Sequence, residues 1–335
     1  MRSMVLCSLL APVLALGTIP GRADADTKNL DGKVQIDGSS TVFPITEAVG
    51  EEFQMTHEKV RVTVGISGTG GGFKKFCAGE TDINDASRTI KESEVAKAAE
   101  SGIEFIELPV AFDGISVVVN PKNDWVDHLS VDELRRIWMP DSEVKRWKDV
   151  RPEWPDRPLR LYGPDVDSGT FDYFTEVVNG ESKVCRSDYT ASADDNVLVT
   201  GIAGDLDGLG YFGYAYYVEN AKRLKVVAID GGKGPVVPSA ETINDGTYAP
   251  LSRPLFLYVN KASGQRAEVH GFIQFYLENA GKLATEVGYV ALPKEAYDLT
   301  WKRFADGKTG SLFNTDLAKR GLSIIEVLSE KNAEK

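Results

Sequence analysis

Three stretches of this chain set small hydroxyl residues and glycine where a β-type run gives way to a helical one. They are "DGSSTV" (Asp37 to Val42), "SGTGGG" (Ser67 to Gly72) and "DSGT" (Asp167 to Thr170). Each offers hydroxyls, N-terminal backbone N–H donors and the positive end of a helix dipole, which together hold an anion without a metal. One such loop is ordinary helix capping. Three in one chain, with Ser87-Arg88 adding a fixed cation at a fourth strand end, make a donor-rich site suited to a tetrahedral oxyanion. In an open α/β sheet the carboxyl ends of strands are where ligands bind.

The acidic residues sharpen the chemistry. Asp165 and Asp167 flank the third loop. Asp167 either caps the helix or accepts the proton of a hydrogen-bearing anion. Sulfate lacks that proton at neutral pH, so the second role would select phosphate. No metal or cofactor motif appears, and His57, His128 and His270 belong to no catalytic pattern. Without a G-x-S-x-G elbow or an H-E-x-x-H pair, hydroxyls at helix starts are binding chemistry rather than catalysis. No catalytic residue is assigned.

The elements that must position these loops alternate. "KVQID" reads as a strand, and Ile45, Val49 and Phe53 give a helical stripe after it. "VRVTVGIS" is a strand before the glycine-rich loop, with a helix carrying Phe73, Phe76 and Cys77 beyond. "TDINDAS" is a short strand, and "SVDE" (Ser130 to Glu133) is a capping box before Leu134, Ile137 and Trp138. The proline- and tryptophan-rich segment from Met139 to Pro158 reads as a surface excursion, and "GLGYFGYAYY" as a strand with a core aromatic cluster. The whole is an α/β protein with mostly parallel sheets. Two buried strands, "FDGISVVVN" and "LSRPLFLYVN", are candidate crossings between two discontinuous lobes that hinge about them, the build of a periplasmic binding protein. The expected division is residues 26–118 with 255–335 as one lobe and 119–254 as the other.

The chain's start bounds its compartment. Arg2, the apolar run Met4–Leu16 and Ala23-Asp24-Ala25 read as a cleaved signal peptide over residues 1–25, which places the mature chain in the periplasm. There, Cys77 and Cys185 suggest a disulfide, although Cys77 at an apolar helix position also fits a buried thiol. The formal charge of -12 argues against nucleic acid as a partner. It does not argue against a small anion, because nearby dipoles outweigh a diffuse, salt-screened charge.

With these residues on the page, "IDGSSTVFPIT", "SGTGGGFKKF", "DINDASR", "DSGT" and "LGYFGYAYY" together resemble the periplasmic phosphate-binding proteins that serve the high-affinity phosphate ABC transporter, of the PstS type and its SphX-like branch. The resemblance covers essentially the whole mature chain. It implies a two-lobed type II binding-protein fold, a monomer, and phosphate held by hydrogen bonds for delivery to membrane permease subunits. It implies Ser40, Thr41 and Val42 as contacts in the first loop, the latter two partly through backbone N–H. It adds Thr69, Gly70 and Ser67 in the second loop, and Ser168, Gly169 and Thr170 in the third. Arg88 stands where the best-known branch has aspartate, and "GPDVDSGT" lacks that branch's arginine. Cation and carboxylate have exchanged loops, with Asp167 the first choice for the carboxylate and Asp165 the second. Sulfate or molybdate binding, or a secreted phosphatase, are the alternatives.

Overall fold

The computed structural model describes residues 30–166, 168–314 and 322–333. The proposed signal peptide and Asp167 lie outside the described residues. In chain order, β1 (Gly32–Gly38) leads into α1 (Phe43–Thr56), β2 (Val60–Ile66) into α2 (Gly68–Cys77), and β3 (Ile83–Ala86) into α3 (Glu92–Glu100). The long β4 (Phe105–Val119) precedes β5 (His128–Ser130), α4 (Val131–Trp138) and α5 (Trp147–Val150). The alternation resumes with β6 (Arg160–Pro164), α6 (Gly169–Asn179), β7 (Thr190–Ser192), α7 (Asp195–Gly204), β8 (Gly208–Gly213) and α8 (Tyr214–Glu219). Three short strands, β9 (Lys225–Val226), β10 (Ala228–Asp230) and β11 (Pro235–Val236), and α9 (Ala240–Asn244) precede β12 (Ser252–Asn260). Helices α10 (Ala267–Glu286), α11 (Lys294–Ala305) and α12 (Ile324–Ala333) follow.

Among the described residues, nine strands form one sheet in the order β2-β1-β3-β12-β4-β8-β6-β7, with β9 beside β4. Its outer parts are parallel: β1 pairs with β2 and β3, and β6 with β7 and β8. The middle is antiparallel, because β12 pairs with β3 and β4, and β4 with β8. The sheet is therefore mixed rather than mostly parallel. Residues 105–114 of β4 pair with β12 and residues 115–119 with β8, so one strand serves both halves. Every residue of β4 is buried. Its two acids are compensated across the ladder by their register partners on β12. Glu107 accepts from Tyr258 Oη at 2.6 Å, and Asp113 pairs with Arg253 at 3.2 Å.

The apolar residues pack in separate clusters. Val34, Ile45, Val49 and Phe53 pack with Phe272 and Tyr276 of α10 on one face of the first half. Phe73, Phe76 and Cys77 pack with Phe105, Phe256 and Tyr258 on the other. The second half centres on Trp138, Phe174 and Tyr211, with Phe174 stacked on Tyr211 at 3.6 Å. The capping box forms as read: Glu133 N–H donates to Ser130 Oγ, and Ser130 N–H to Glu133 Oε2.

Two expectations are corrected here. The segment from Met139 to Pro158 is not merely a surface excursion, since Trp147 and Trp154 are buried and meet edge to face at 5.8 Å. Its charged and proline positions stay outside while the indoles fold inward, where their large area dominates. Cys77 and Cys185 do not form a disulfide. Both thiols are free; Cys77 lies in the first half and donates to Glu94 O, and Cys185 packs against the core of the second. Thiol titration of the denatured, unreduced mature protein is expected to count both cysteines, and a count of zero would restore the bridge.

Asp85 of β3 is 1% exposed, and neither carboxylate oxygen completes a hydrogen bond among the described residues. Burial pushes its carboxyl up to about 8, against the pull of the nearby Thr46 hydroxyl. An unfolded aspartate releases its proton near ~3.9. The folded chain thus binds the extra proton between the two values, so this group's contribution to stability falls as pH rises through that window and levels off above it. Asp85→Asn, which cannot ionise, should flatten the pH dependence of melting between about pH 5 and 8 and raise the melting temperature at pH 8. Parallel melting curves for wild type and variant would refute this.

Candidate anion-binding site

The first loop is organised by Ser39, a residue that sequence reasoning passed over. Its N–H donates to Asp85 O at 3.1 Å, and its Oγ and O accept from Thr41 N–H and Val42 N–H. The backbone N–H groups of Thr41 and Val42, the expected ligand donors, meet Ser39 at 3.2 Å. Ser40 is exposed, and Thr41 is buried with its Oγ1 accepting from Arg253 Nη2 at 3.2 Å.

The second loop is not a loop for most of its length. Gly68, Thr69 and Gly70 to Gly72 are the opening turns of α2, with Ser67 at the N-cap. Glycine costs a helix roughly 1 kcal/mol relative to alanine at each position, so the glycines need another reason. At Gly68 it is a positive φ of 74°, and at Gly72 it is close approach. A Cβ on Gly72 would lie 2.0 Å from Asn84 Oδ1 and 2.6 Å from Gly38 Cα. The helix sits directly on β1 and β3, and its N-terminus reaches the ends of both. Asp37 joins the two loops by accepting from Ser67 Oγ and from Lys75 Nζ, and Ser67 N–H donates to Gly38 O. Thr69 Oγ1 meets Ser87 Oγ at 3.2 Å and accepts from Ser87 N–H, which brings the end of β3 into the cluster.

Arg88 follows directly, and a Cβ on Gly70 would stand 3.7 Å from its Nη2. Its fork is engaged: Nη1 and Nη2 donate to Glu94 at 2.9 and 2.8 Å, and Nη1 also to Thr89 O. Burial opposes the charge on Glu94, but the Arg88 and Lys91 hydrogen bonds hold its carboxyl below the ordinary value. The third loop caps α6, with Ser168 Oγ accepting from Thr170 N–H and Ser168 N–H donating to Asp165 O. Asp165 is half-buried, and its own N–H donates to Ser192 O. Asn196, in the first turn of α7, is exposed and donates its N–H to Asp194.

The three loops converge. A Cβ on Gly169 would stand 2.8 Å from Thr41 Oγ1, so the third loop abuts the first across the two halves. Beside them lies a cleft of about 300 Å³ whose walls include Ser87, Arg88, Tyr173, Glu176 and Arg253. Arg253 was read only as part of an apolar strand, yet its guanidinium contacts Thr41, Asp113 and the Tyr173 ring. Burial pushes the Asp113 carboxyl up while Arg253 pulls it down. Gly72→Ala is expected to cost about 1–3 kcal/mol through overpacking, read as a lower urea midpoint. Unchanged stability would mean that α2 can withdraw from the sheet.

The family model of the PBP superfamily domain matches residues 23–280. The chain is 49% identical over 301 residues to Protein SphX of Synechocystis sp., covering 89% of this chain and 89% of that one. It is 42% identical over 286 residues to the Phosphate-binding protein PstS of Staphylococcus saprophyticus, across 85% of this chain and 88% of that one. A solved structure of a possible phosphate binding protein from Planctomyces limnophilus superposes with a TM-score of 0.80 at 50% identity, over 84% of this chain and 100% of that chain. An ABC-type phosphate transport receptor from Vibrio cholerae gives a TM-score of 0.62 at 25% identity, over 78% of this chain and 100% of that chain.

Proposed function

The chain belongs to the PBP superfamily, and from that membership we propose that it captures inorganic phosphate by hydrogen bonding and delivers it to an ABC transporter. The observation that carries the reading is the convergence of the α1, α2 and α6 N-termini, with Gly169 seated against Thr41. Three helix dipoles and a set of hydroxyls then act on one small volume beside a guanidinium. Donors fixed by folding bind a dehydrated anion without further ordering cost. The proposed contacts are Ser40, Thr41, Val42, Ser67, Thr69, Gly70, Arg88, Ser168, Gly169 and Thr170, with Asp165 or Asp167 as the carboxylate.

The same reading makes β4 and β12 the hinge between a lobe of residues 26–118 with 255–335 and a lobe of residues 119–254. The receptor would be exported by cleavage of residues 1–25, work in the periplasm as a monomer, and present phosphate to membrane permease subunits. The chain is proposed as a binding protein and not a phosphatase, since the sequence holds no G-x-S-x-G elbow and no H-E-x-x-H pair. Among the described residues no group of three His, Cys, Asp or Glu is arranged to hold a metal, and no helix is long and apolar enough to cross a membrane.

Selectivity follows from the carboxylate. Sites built to satisfy one hydrogen bond reject an analogue that lacks it by roughly 10⁴–10⁵-fold. Calorimetry on ligand-stripped protein should therefore find one phosphate per chain and strong discrimination against sulfate. Asp167→Asn should narrow that ratio, or Asp165→Asn if that residue holds the role. Equal phosphate and sulfate affinities in the wild type would defeat the reading. Arg88→Ala should weaken phosphate by about tenfold, the scale of one charged hydrogen bond.

A further inference from the structure

We infer that Arg253, on the strand that joins the two halves, is a cation of the anion site, held in place by Asp113 and ready to couple anion capture to closure. The inference rests on the phosphate reading for its ligand and on the following geometry for its residue. Arg253 and Asp113 are register partners on β12 and β4, and Nε and Nη2 donate to Asp113 Oδ2 at 3.3 and 3.2 Å. Asp113 is 2% exposed. A carboxylate so buried needs its partner, and the pair fixes where the guanidinium points.

Three further contacts decide its use. Nη2 donates to Thr41 Oγ1 at 3.2 Å, in the first loop. The guanidinium carbon stands 3.8 Å from the Tyr173 ring centroid, on the helix whose N-terminus is the third loop. The side chain also lines the cleft that Ser87, Arg88 and Glu176 line. One planar group therefore touches the joining strands, the first half and the second half at once.

A guanidinium has five N–H donors in a fixed fork. Arg253 and Arg88 each make three such donations among the described residues, and they differ in which nitrogen stays open. Both terminal nitrogens of Arg88 donate to Glu94, and Nη1 also to Thr89 O, which uses both hydrogens of Nη1. Among the described residues, Nη1 of Arg253 donates to no protein acceptor. With its face covered by Tyr173 and one edge by Asp113, the remaining donors of Arg253 are the ones that an anion against Thr41 would meet. Because Thr41 and Tyr173 belong to opposite halves, an anion that recruits this guanidinium strengthens the contact between them.

The test is calorimetry with phosphate on wild type, Arg253→Ala, Asp113→Asn, and the double variant of Asp113→Asn with Arg253→Gln, which removes the pair together and leaves no buried charge unpaired. Arg253→Ala is expected to lose tenfold or more in affinity, and millimolar methylguanidinium to restore part of it. Asp113→Asn should weaken binding several-fold alone and add little to the loss once Arg253 is replaced, a non-additivity that a purely structural role would not produce. Folded Arg253→Ala and double variants that bind phosphate within twofold of wild type would overturn the inference. A wild type that binds another oxyanion but no phosphate would instead fail the phosphate reading, and Arg253 would be judged on that anion by the same loss. If no oxyanion binds, both fail.

Discussion

The structure depends on two antiparallel strands that carry acids through its interior. β4 is buried along its whole length, and Glu107 and Asp113 sit within it at 0% and 2% exposure. An uncompensated buried carboxylate costs several kcal/mol, so the register of β4 on β12 is as much an electrostatic requirement as a hydrogen-bond ladder. A slip by one residue would turn Tyr258 and Arg253 to the opposite face and take from each acid its partner on β12. Glu107 also accepts from Ser311 Oγ and from the N–H groups of Leu312 and Phe313, which ties a distant segment to the same strand. The acid nearer one end anchors chain; the acid nearer the other orients a guanidinium at the cleft.

Around those strands, the site is made by close approach rather than by charge. Gly72 lets α2 lie on β1 and β3, and Gly169 lets the third loop meet Thr41. At each place a methyl group would separate groups whose value depends on distance. Dipoles act within the first turn of a helix, so a shift of an ångström weakens every donor together. The net charge of -12 is spread over the surface and screened beyond about 10 Å at 0.1 M salt. Local donors therefore govern which ion is held, and the acidic surface does not prevent the binding of an anion.

Polar groups inside this fold divide into paired and unpaired ones. Asp113 and Glu107 are paired, and their strands are held by the pairing. Asp85 and Asn84, adjacent on β3, have side-chain oxygens with no hydrogen-bond partner among the described residues. Asp85 meets the cost of burial by holding a proton, which neutralises it at the expense of making stability respond to pH. Both lie directly behind the loops that form the site, where Ser39 and Gly72 touch their strand.

Much of this was legible in the sequence because it is short-range. The stripe of Ile45, Val49 and Phe53, the Ser130–Glu133 capping box and the hydroxyls before α1 and α6 follow from helix period and capping chemistry within a few residues. Alternation of strands and helices sufficed for the α/β class. What only the tertiary structure decided lies at long separation. The antiparallel middle of the sheet, the inward turn of Trp147 and Trp154, and the separate burial of Cys77 and Cys185 depend on which surfaces meet. The glycines after Ser67 read as a loop and instead open a helix, and the reason for Gly72 is a strand residue, Asn84, lying against it. Arg253 lay hidden in an apolar run because its partner Asp113 is 140 positions away. No local pattern reports a register across that distance; the pairing of two buried strands does.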